Sequence, residues 1–195
     1  MVPLEDRELI TNAKAGNMEA FGVLVRKHQR RIYRVALHLL RSHPEAEDVT
    51  QDTFVRAYAA LSRFDGRSQP YTWFYRIAVN LSLNRIRSRK RRSALPIDGD
   101  PSIANELGDA HPGRAPESAT ADRQLGVGLQ QALDGLSETL RTTLILVVMD
   151  GLSHAETATI LGCPEGTVAW RVHEARKKIR AHLQARGLCD PEDEL

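Results

Sequence analysis

The stretch GLSHAETATILGCPEGTVAWRVHEAR, residues 151–176, predicts two short helices joined by a tight turn. Ser153 and Glu156 have the spacing of a capping box at the start of the first helix. Gly162 suits the left-handed residue that ends a helix, and Pro164 suits the first turn of the next one. Because cap, glycine and proline agree, the stretch favours a helix-turn-helix over an ordinary helical hairpin in a core.

The second helix of this motif has one apolar side and one polar side. Its apolar residues recur at i, i+4, i+7 and i+11, namely Val168, Val172, Ala175 and Ile179. A helix with such a polar side fits the major groove of duplex DNA. We expect the DNA contacts to come from Thr167, Trp170, Arg171, His173, Glu174 and Lys177.

Positive charge is concentrated in the first half of the chain. Residues 1–92 hold 18 Lys and Arg against 9 Asp and Glu, a net charge of +9, whereas the whole chain of 195 residues carries only +2. This asymmetry points to nucleic acid as the partner of that half. Net charge alone fits a solvated basic face equally well.

Several classes of protein are excluded by what the sequence lacks. No apolar run approaches the roughly 18 residues of a membrane span, and the N-terminus has no signal-peptide core, so we predict a soluble cytoplasmic protein without membrane insertion. Cys163 and Cys189 belong to no ligand pattern, so no metal and no disulfide framework is expected. We find no nucleophile–base pair and no phosphate-binding loop, so we predict no catalytic residues, no cofactor and no enzyme activity.

Turn signals divide the rest of the chain into helices, and the predicted fold class is all-α. The N-terminal domain is predicted to have helices over residues 5–15, 18–40, 45–61 and 71 to about 90. Residues 93–122 are rich in Pro, Gly, Ala and Asp and predict a flexible linker. Helices over 124–136 and 138–149, with the helix-turn-helix, complete a second small domain over residues 123–187. An acidic tail follows over residues 188–195.

Four aromatic residues lie within YTWFY, residues 71–75, shortly before the basic run Arg85, Arg87, Arg89, Lys90, Arg91 and Arg92. A binding site for single-stranded nucleic acid needs this combination. Each base that stacks on a ring contributes about 1–3 kcal/mol, and the cations neutralise phosphates. Asn80 and Asn84 lie one turn apart and can hydrogen-bond an exposed base edge. The alternative is that the rings form a core and the arginines a solvated helix end. We expect Phe74 to be buried, Trp73 wholly or partly buried, and Tyr71 and Tyr75 to be the more exposed rings.

The preceding predicted helix has apolar positions at Val49, Phe54, Val55, Tyr58 and Leu61. Its start is acidic, with Glu45, Glu47, Asp48, Gln51 and Asp52. One hypothesis is that this acidic face docks a basic partner. The alternative is an ordinary acidic helix start that complements the helix dipole.

Together these motifs resemble the extracytoplasmic-function group of bacterial sigma factors, which belong to the sigma-70 family. AEDVTQDTFVRAY (46–58), FDGRS (64–68) and YTWFYRIAVN (71–80) resemble region 2, and the stretch from Gly151 to Val168 resembles region 4. The resemblance implies a region 2 domain over residues 1–92, the linker over 93–122 and a region 4 domain over 123–187.

What the resemblance implies is a subunit of transcription initiation that binds core RNA polymerase and promoter DNA. The polymerase-binding residues would be Glu47, Asp48, Gln51 and Asp52. The single-stranded −10 element would be bound by Arg56, Phe64, Ser68, Tyr71, Trp73, Tyr75, Arg76, Ile77, Asn80, Asn84 and Arg87. The second helix of the helix-turn-helix would read the duplex −35 element. The resemblance also implies a role in stress response and control by an anti-sigma factor.

Two other functions remain open at this point. A free-standing helix-turn-helix regulator would bind operators as a dimer, but the sequence has no leucine-rich seam or sensor domain. A single-strand or RNA-binding module could be built on the basic half alone. Association with core polymerase distinguishes a sigma factor from both of these alternatives.

Overall fold

The structure is a computed structural model, which describes residues 5–93 and 116–189. These residues form eight α-helices and no strand, in agreement with the all-α prediction. The helices are α1 (Asp6–Lys14), α2 (Met18–Leu40), α3 (His43–Ala59), α4 (Pro70–Ser93), α5 (Pro116–Asp134), α6 (Glu138–Leu144), α7 (His154–Leu161) and α8 (Glu165–Gln184). Two compact units are present, one built on α1–α4 and one on α5, α6 and α8.

Helix α5 begins earlier than the sequence suggested. It starts at Pro116, so residues 116–122 of the predicted linker are helical. Proline suits the first helical position, and the alanines at 119 and 121 favour helix. The other linker residues, 94–115, and residues 190–195 of the acidic tail lie outside the described part of the chain.

Helix α2 is the central element of the N-terminal unit and contacts α1, α3 and α4. Its bounds are those predicted, because its ends are marked by local signals. The Asn17 side chain accepts a hydrogen bond from the Ala20 N–H at 3.1 Å and caps the first turn. Arg41 adopts a left-handed conformation with φ of 56° and ends the helix. Leu24, Ile32 and Val35 are completely buried along its inward side.

Four rings and an imidazole form an aromatic cluster in the core of this unit. The ring of Phe74 lies 5.4 Å from Phe54, 5.5 Å from Trp73 and 5.6 Å from His28, and Trp73 lies 4.9 Å from Phe64. The predicted burial of Phe74 and Trp73 is therefore confirmed.

The predicted exposure of Tyr75 is wrong. Only 1% of its surface is accessible, because it shares the inward face of α4 with Ala78, Val79 and Ser82, which are equally buried. Tyr71 is half-buried.

On α3 two of the apolar residues face solvent. Val55 is 67% exposed and Tyr58 45% exposed. The inward face of the helix is formed instead by Ala46, Val49, Thr53, Phe54 and Ala57. Small side chains at three of these positions let α3 approach its neighbours closely.

A partly buried polar contact fastens α1 to α2. His28 Nε2 lies 2.7 Å from one carboxylate oxygen of Asp6, and Lys27 Nζ lies 2.6 Å from the other. Burial acts to raise the pKa of Asp6, but the hydrogen bond from Lys27 and the interaction with His28 outweigh it, so the pKa lies below the ordinary 3.8. Burial lowers the pKa of His28 below its ordinary 6.5 and outweighs the opposing effect of Asp6, while Lys27 and Arg31 lower it further.

These shifts predict that the N-terminal unit loses stability as the pH falls below about 6.5. In that range His28 binds a proton in the unfolded state but stays neutral in the folded state. The free energy of unfolding therefore falls by at most about 1.4 kcal/mol per pH unit. Asp6 adds to the loss only below its unfolded pKa of 3.8. We expect the Tm, followed by the fluorescence of buried Trp73, to fall between pH 7 and 5.5, and to fall less in His28→Gln.

The control for losing one histidine is His173→Gln, because that side chain is exposed on α8. An equal pH dependence of the Tm in His28→Gln and in the wild type would contradict the assignment.

The C-terminal unit is built by packing α5 and α6 against α8. The predicted helix over 138–149 is present, but its last five residues, Ile145–Met149, form a π-helical turn. Ile145 and Leu146 are buried, whereas Val148 and Met149 are about half exposed. Gly128 on α5 lies so close to Leu188 that an added Cβ would stand 2.5 Å from Leu188 Cδ1.

Candidate nucleic-acid interface

The loop over residues 64–69 enters α4 and is held at three points. At its start, the Phe64 carbonyl accepts a hydrogen bond from Lys14 Nζ at 2.5 Å. In its middle, the Asp65 carboxylate accepts one from the Arg67 N–H at 3.1 Å, and Gly66 supplies the positive φ of 75°. At its end, the Gln69 carbonyl accepts one from the Trp73 N–H at 3.2 Å.

One exposed face of α4 carries polar and cationic side chains. Its members recur at spacings of four, four, three and four residues, which places them along one side of the helix. They are Arg76, Asn80, Asn84, Arg87 and Arg91. We call this set the cationic face of α4. It presents amide groups that can pair with base edges and guanidinium groups that can neutralise phosphates.

Two other arginines of the basic run, Arg85 and Arg89, turn toward α3. Arg85 lies 3.1 Å from Asp48 and 3.6 Å from Asp52, and Arg89 lies 3.5 Å from Glu45. Sequence reasoning placed both in a single cationic track. The structure shows that the track contains fewer residues than predicted, because Arg85 and Arg89 already face carboxylates.

The predicted polymerase-binding residues of α3 therefore have two environments. Asp48 and Asp52 are exposed but paired with Arg85. Glu47 and Gln51 are exposed and make no hydrogen bond or ion pair with any residue that the structure describes. All four predicted polymerase-binding residues lie on the solvent side of α3.

The predicted −10 residues fall into three groups by exposure. Arg56, Arg76, Asn80, Asn84 and Arg87 are exposed. Ser68, Tyr71 and Ile77 are half-buried, and Ile77 packs against a core that includes Leu81 and Ile86.

The third group is buried. Phe64 and Trp73 are 7% exposed and Tyr75 is 1% exposed. Their rings fill the core beneath the loop and α4, so no base can stack on them in this structure. Tyr71 is the half-buried ring of this aromatic run.

The helix-turn-helix has the local geometry that the sequence predicted. The Ser153 N–H donates to Glu156 Oε2 at 2.8 Å, and the Glu156 N–H donates to Ser153 Oγ at 3.2 Å, which completes the capping box. Gly162 has a φ of 64° and ends α7. Pro164 is the N-cap residue of α8, one position before the predicted first turn.

Helix α8 buries the predicted apolar stripe and exposes the predicted polar side. Val168, Val172, Ala175 and Ile179 are at most 7% exposed. On the other side, Trp170, His173 and Lys177 are exposed, with Trp170 at 60%. The half-buried members of the predicted contact set are Thr167, Arg171 and Glu174.

Two of these side chains have neighbours on their own motif. Arg171 Nη1 lies 3.6 Å from Sγ of Cys163, which is half-buried in the turn. Glu174 lies 3.8 Å from Lys178, one helical turn onward. Both contacts hold a long side chain along the surface of α8.

Sequence reasoning missed the contacts of His28, Arg85 and Lys14, because each joins residues far apart in the chain. Among residues 5–93 and 116–189, no group of His, Cys, Asp or Glu could hold a metal ion. No described helix is long and apolar enough to cross a membrane.

A helical unit with a cationic helix face and a second unit with a helix-turn-helix define a nucleic-acid-binding protein. Family comparison gives the particular class. The sequence model of sigma-70 region 2 matches residues 24–92, and that of sigma-70 region 4 matches residues 127–179.

Similar proteins support both matches over nearly the whole chain. The RNA polymerase sigma-H factor of Pseudomonas aeruginosa is 36% identical over 92% of this chain and 94% of its own length. The ECF RNA polymerase sigma factor SigW of Bacillus subtilis is 33% identical over 91% of this chain and 96% of its own length. The chain therefore belongs to the extracytoplasmic-function group of the sigma-70 family, and it is a promoter-directing sigma factor.

Two solved structures have a similar fold. CnrH in complex with the cytosolic domain of CnrY has a TM-score of 0.64 and 27% identity, with 92% of this chain and 97% of that chain covered. The sigma factor RpoE in complex with the anti-sigma factor NepR, from Bartonella quintana, has a TM-score of 0.60 and 27% identity, with coverages of 83% and 93%.

Proposed function

We propose that this sigma factor holds the single-stranded −10 element on the cationic face of α4 and reads the duplex −35 element with α8. One observation carries the proposal. The exposed amides of Asn80 and Asn84 lie on the same helix face as Arg76 and Arg87, directly after the 64–69 loop. Base-reading and phosphate-neutralising groups are thus combined on one side of a single helix.

Promoter opening by this route needs no ATP hydrolysis. Extruding a base from a duplex costs a few kcal/mol. Hydrogen bonds from Asn80 and Asn84 and the neutralisation of phosphates by Arg76 and Arg87 offset that cost. Ser68 in the 64–69 loop and Tyr71 in the first turn of α4 are half-buried and add a hydroxyl group and a ring to the proposed site. Arg56 is the exposed α3 contribution.

The proposed roles extend to the polymerase surface and the −35 helix. Glu47 and Gln51, which have no described partner, bind the polymerase together with Asp48 and Asp52. Thr167, Trp170 and Arg171 contact the first bases and phosphates, and His173, Glu174 and Lys177 the following ones. The domain bounds remain those proposed from the sequence, with residues 1–92 as region 2 and 123–187 as region 4.

The family is not one of enzymes, and we propose that this member has no catalytic activity of its own. We also propose that it acts in the cytoplasm, where its polymerase partner works. The chemistry of transcription stays with the polymerase. This chain contributes binding energy that differs between closed and open promoter DNA.

Control by an anti-sigma factor is a further part of the proposal. Its support is that a similar solved structure is a sigma factor in complex with the anti-sigma factor NepR. Tagged chain recovered from its own cells is expected to bring down a second protein that competes with core polymerase. Recovery of polymerase subunits alone would count against such control.

The central test is reconstituted transcription from purified components. Core polymerase with this chain is expected to select a set of promoters from a random DNA library and to make defined transcripts. Core polymerase alone should make none of them. If the chain binds specific DNA without polymerase and leaves transcription unchanged, a free-standing helix-turn-helix regulator is the better description.

A further inference from the structure

The last residue of α1 makes an unusual long-range contact with the 64–69 loop. Lys14 Nζ donates to the backbone carbonyl of Phe64 at 2.5 Å and lies 5.9 Å from the centre of the Phe64 ring. The two residues are fifty positions apart in the sequence. Helix α1 also lies before residue 24, where the match to sigma-70 region 2 begins.

This contact fixes the backbone at the point where the loop leaves the core. The Phe64 N–H donates to the Leu61 carbonyl at 3.2 Å, so the peptide groups on both sides of Phe64 have partners. The Phe64 ring is anchored against Trp73 at 4.9 Å. Without Lys14 the carbonyl would lose a charge-assisted hydrogen bond, which is stronger than a neutral one.

We propose that Lys14 is a positioning residue for promoter opening, which presets the 64–69 loop for the extruded −10 base. The inference rests on the proposed function of α4 and of Ser68 in this loop, which is −10 binding. A loop that is already ordered loses less conformational entropy when a base binds, so more of the binding energy remains for opening the duplex. Lys14 acts through the loop backbone and does not itself touch the base.

The position of α1 does not depend on Lys14, and this separates positioning from folding. Leu9, Ile10 and Ala13 bury the inner side of α1, and Asp6 fastens its first turn to His28 at 2.7 Å. Removal of the Lys14 ammonium therefore leaves the helix docked and releases only the loop.

Lys14→Met tests the proposal in the holoenzyme, on a promoter that the wild-type holoenzyme has selected from a random library. The rate of open-complex formation is expected to fall about three- to tenfold, because part of the free energy of one charge-assisted hydrogen bond is lost from the opening step. Affinity for core polymerase and the Tm should stay near the wild-type values. Lys14→Arg keeps a cationic N–H donor and is expected to restore most of the rate.

The matched control is Arg7→Met, which removes one cation from the same helix. The Arg7 side chain makes no hydrogen bond or ion pair with the described residues. An unchanged opening rate in Lys14→Met, or an equal loss in Arg7→Met, overturns the proposal.

A second measurement separates this inference from the function of the protein as a whole. Hydrogen exchange over residues 65–68 in the free chain is expected to be faster in Lys14→Met than in Arg7→Met. This readout involves no promoter. If the wild-type holoenzyme opens no promoter, the proposed function fails while the exchange still tests the contact. If exchange over 65–68 is the same in both variants, the positioning role of Lys14 is refuted.

Discussion

Asn80→Ala is expected to slow promoter opening by the holoenzyme about tenfold, because specific hydrogen bonds to a base edge contribute roughly 1–3 kcal/mol. Asn80 is exposed in the middle of the cationic face and makes no hydrogen bond within the described residues. Alanine has the higher helix propensity, so α4 and the fold should be unharmed. The measurement is the rate of open-complex formation at a selected promoter, alongside the affinity for core polymerase.

The contrast with the polymerase surface makes this result specific. Gln51→Lys changes an exposed residue of α3 that has no described partner. It is expected to weaken polymerase binding and to leave opening by the saturated holoenzyme unchanged. The two variants should therefore show opposite patterns. Equal losses of binding and opening in Asn80→Ala would rule out a role for this amide in base capture.

Glu174→Arg is expected to change which base pair is preferred at one position of the −35 element. A carboxylate accepts a hydrogen bond from the amino group of cytosine, whereas arginine donates hydrogen bonds to guanine. A good pair of this kind discriminates against the wrong base by about 1–3 kcal/mol. The preferred base at that position should thus shift from cytosine to guanine. Selection of promoters from a random −35 library by wild-type and variant holoenzymes measures the shift.

The substitution also changes the interaction of residue 174 with Lys178. Glu174 faces Lys178 at 3.8 Å, so arginine at 174 replaces an attraction by a repulsion. Such exposed pairs on one helix are worth only about 0.2–0.5 kcal/mol. Glu174→Gln removes the same ion pair without reversing the charge and is the control. If the variant and the wild type select the same −35 sequences, Glu174 does not read a base.

Local features of the fold were predictable from the sequence because a few neighbouring residues determine them. The capping box of Ser153 and Glu156, the left-handed Gly162 and the Asn17 cap each depend on residues within one turn. The bounds of α2 and the apolar stripe of α8 follow from the same short-range information.

The errors arise where small residues form the inward face of a helix. On α4 the buried face includes Ala78 and Ser82, and on α3 it includes Ala46 and Ala57. These side chains give a weak hydrophobic signal. Larger side chains then dominate the apolar pattern even where, like Tyr58, they are exposed.

The sequence could name the residues of the candidate site, but it could not predict the contacts that they make with one another. The pairing of Arg85 with Asp48 and Asp52 and the contact from Lys14 to Phe64 join different helices. No spacing rule encodes such contacts, because they depend on how the helices pack. For this reason the sequence overstated both the number of available rings and the number of available cations.

The cationic face of α4 also has a length, and this length limits what it can hold. From Arg76 to Arg91 the helix advances fifteen residues, or ~22 Å at 1.5 Å per residue. One strand in the stacked form of a duplex advances 3.4 Å per nucleotide. The face can therefore run alongside about six nucleotides of a stacked strand. The length of this one helix would thus limit the span of unpaired DNA that the proposed −10 site can bind.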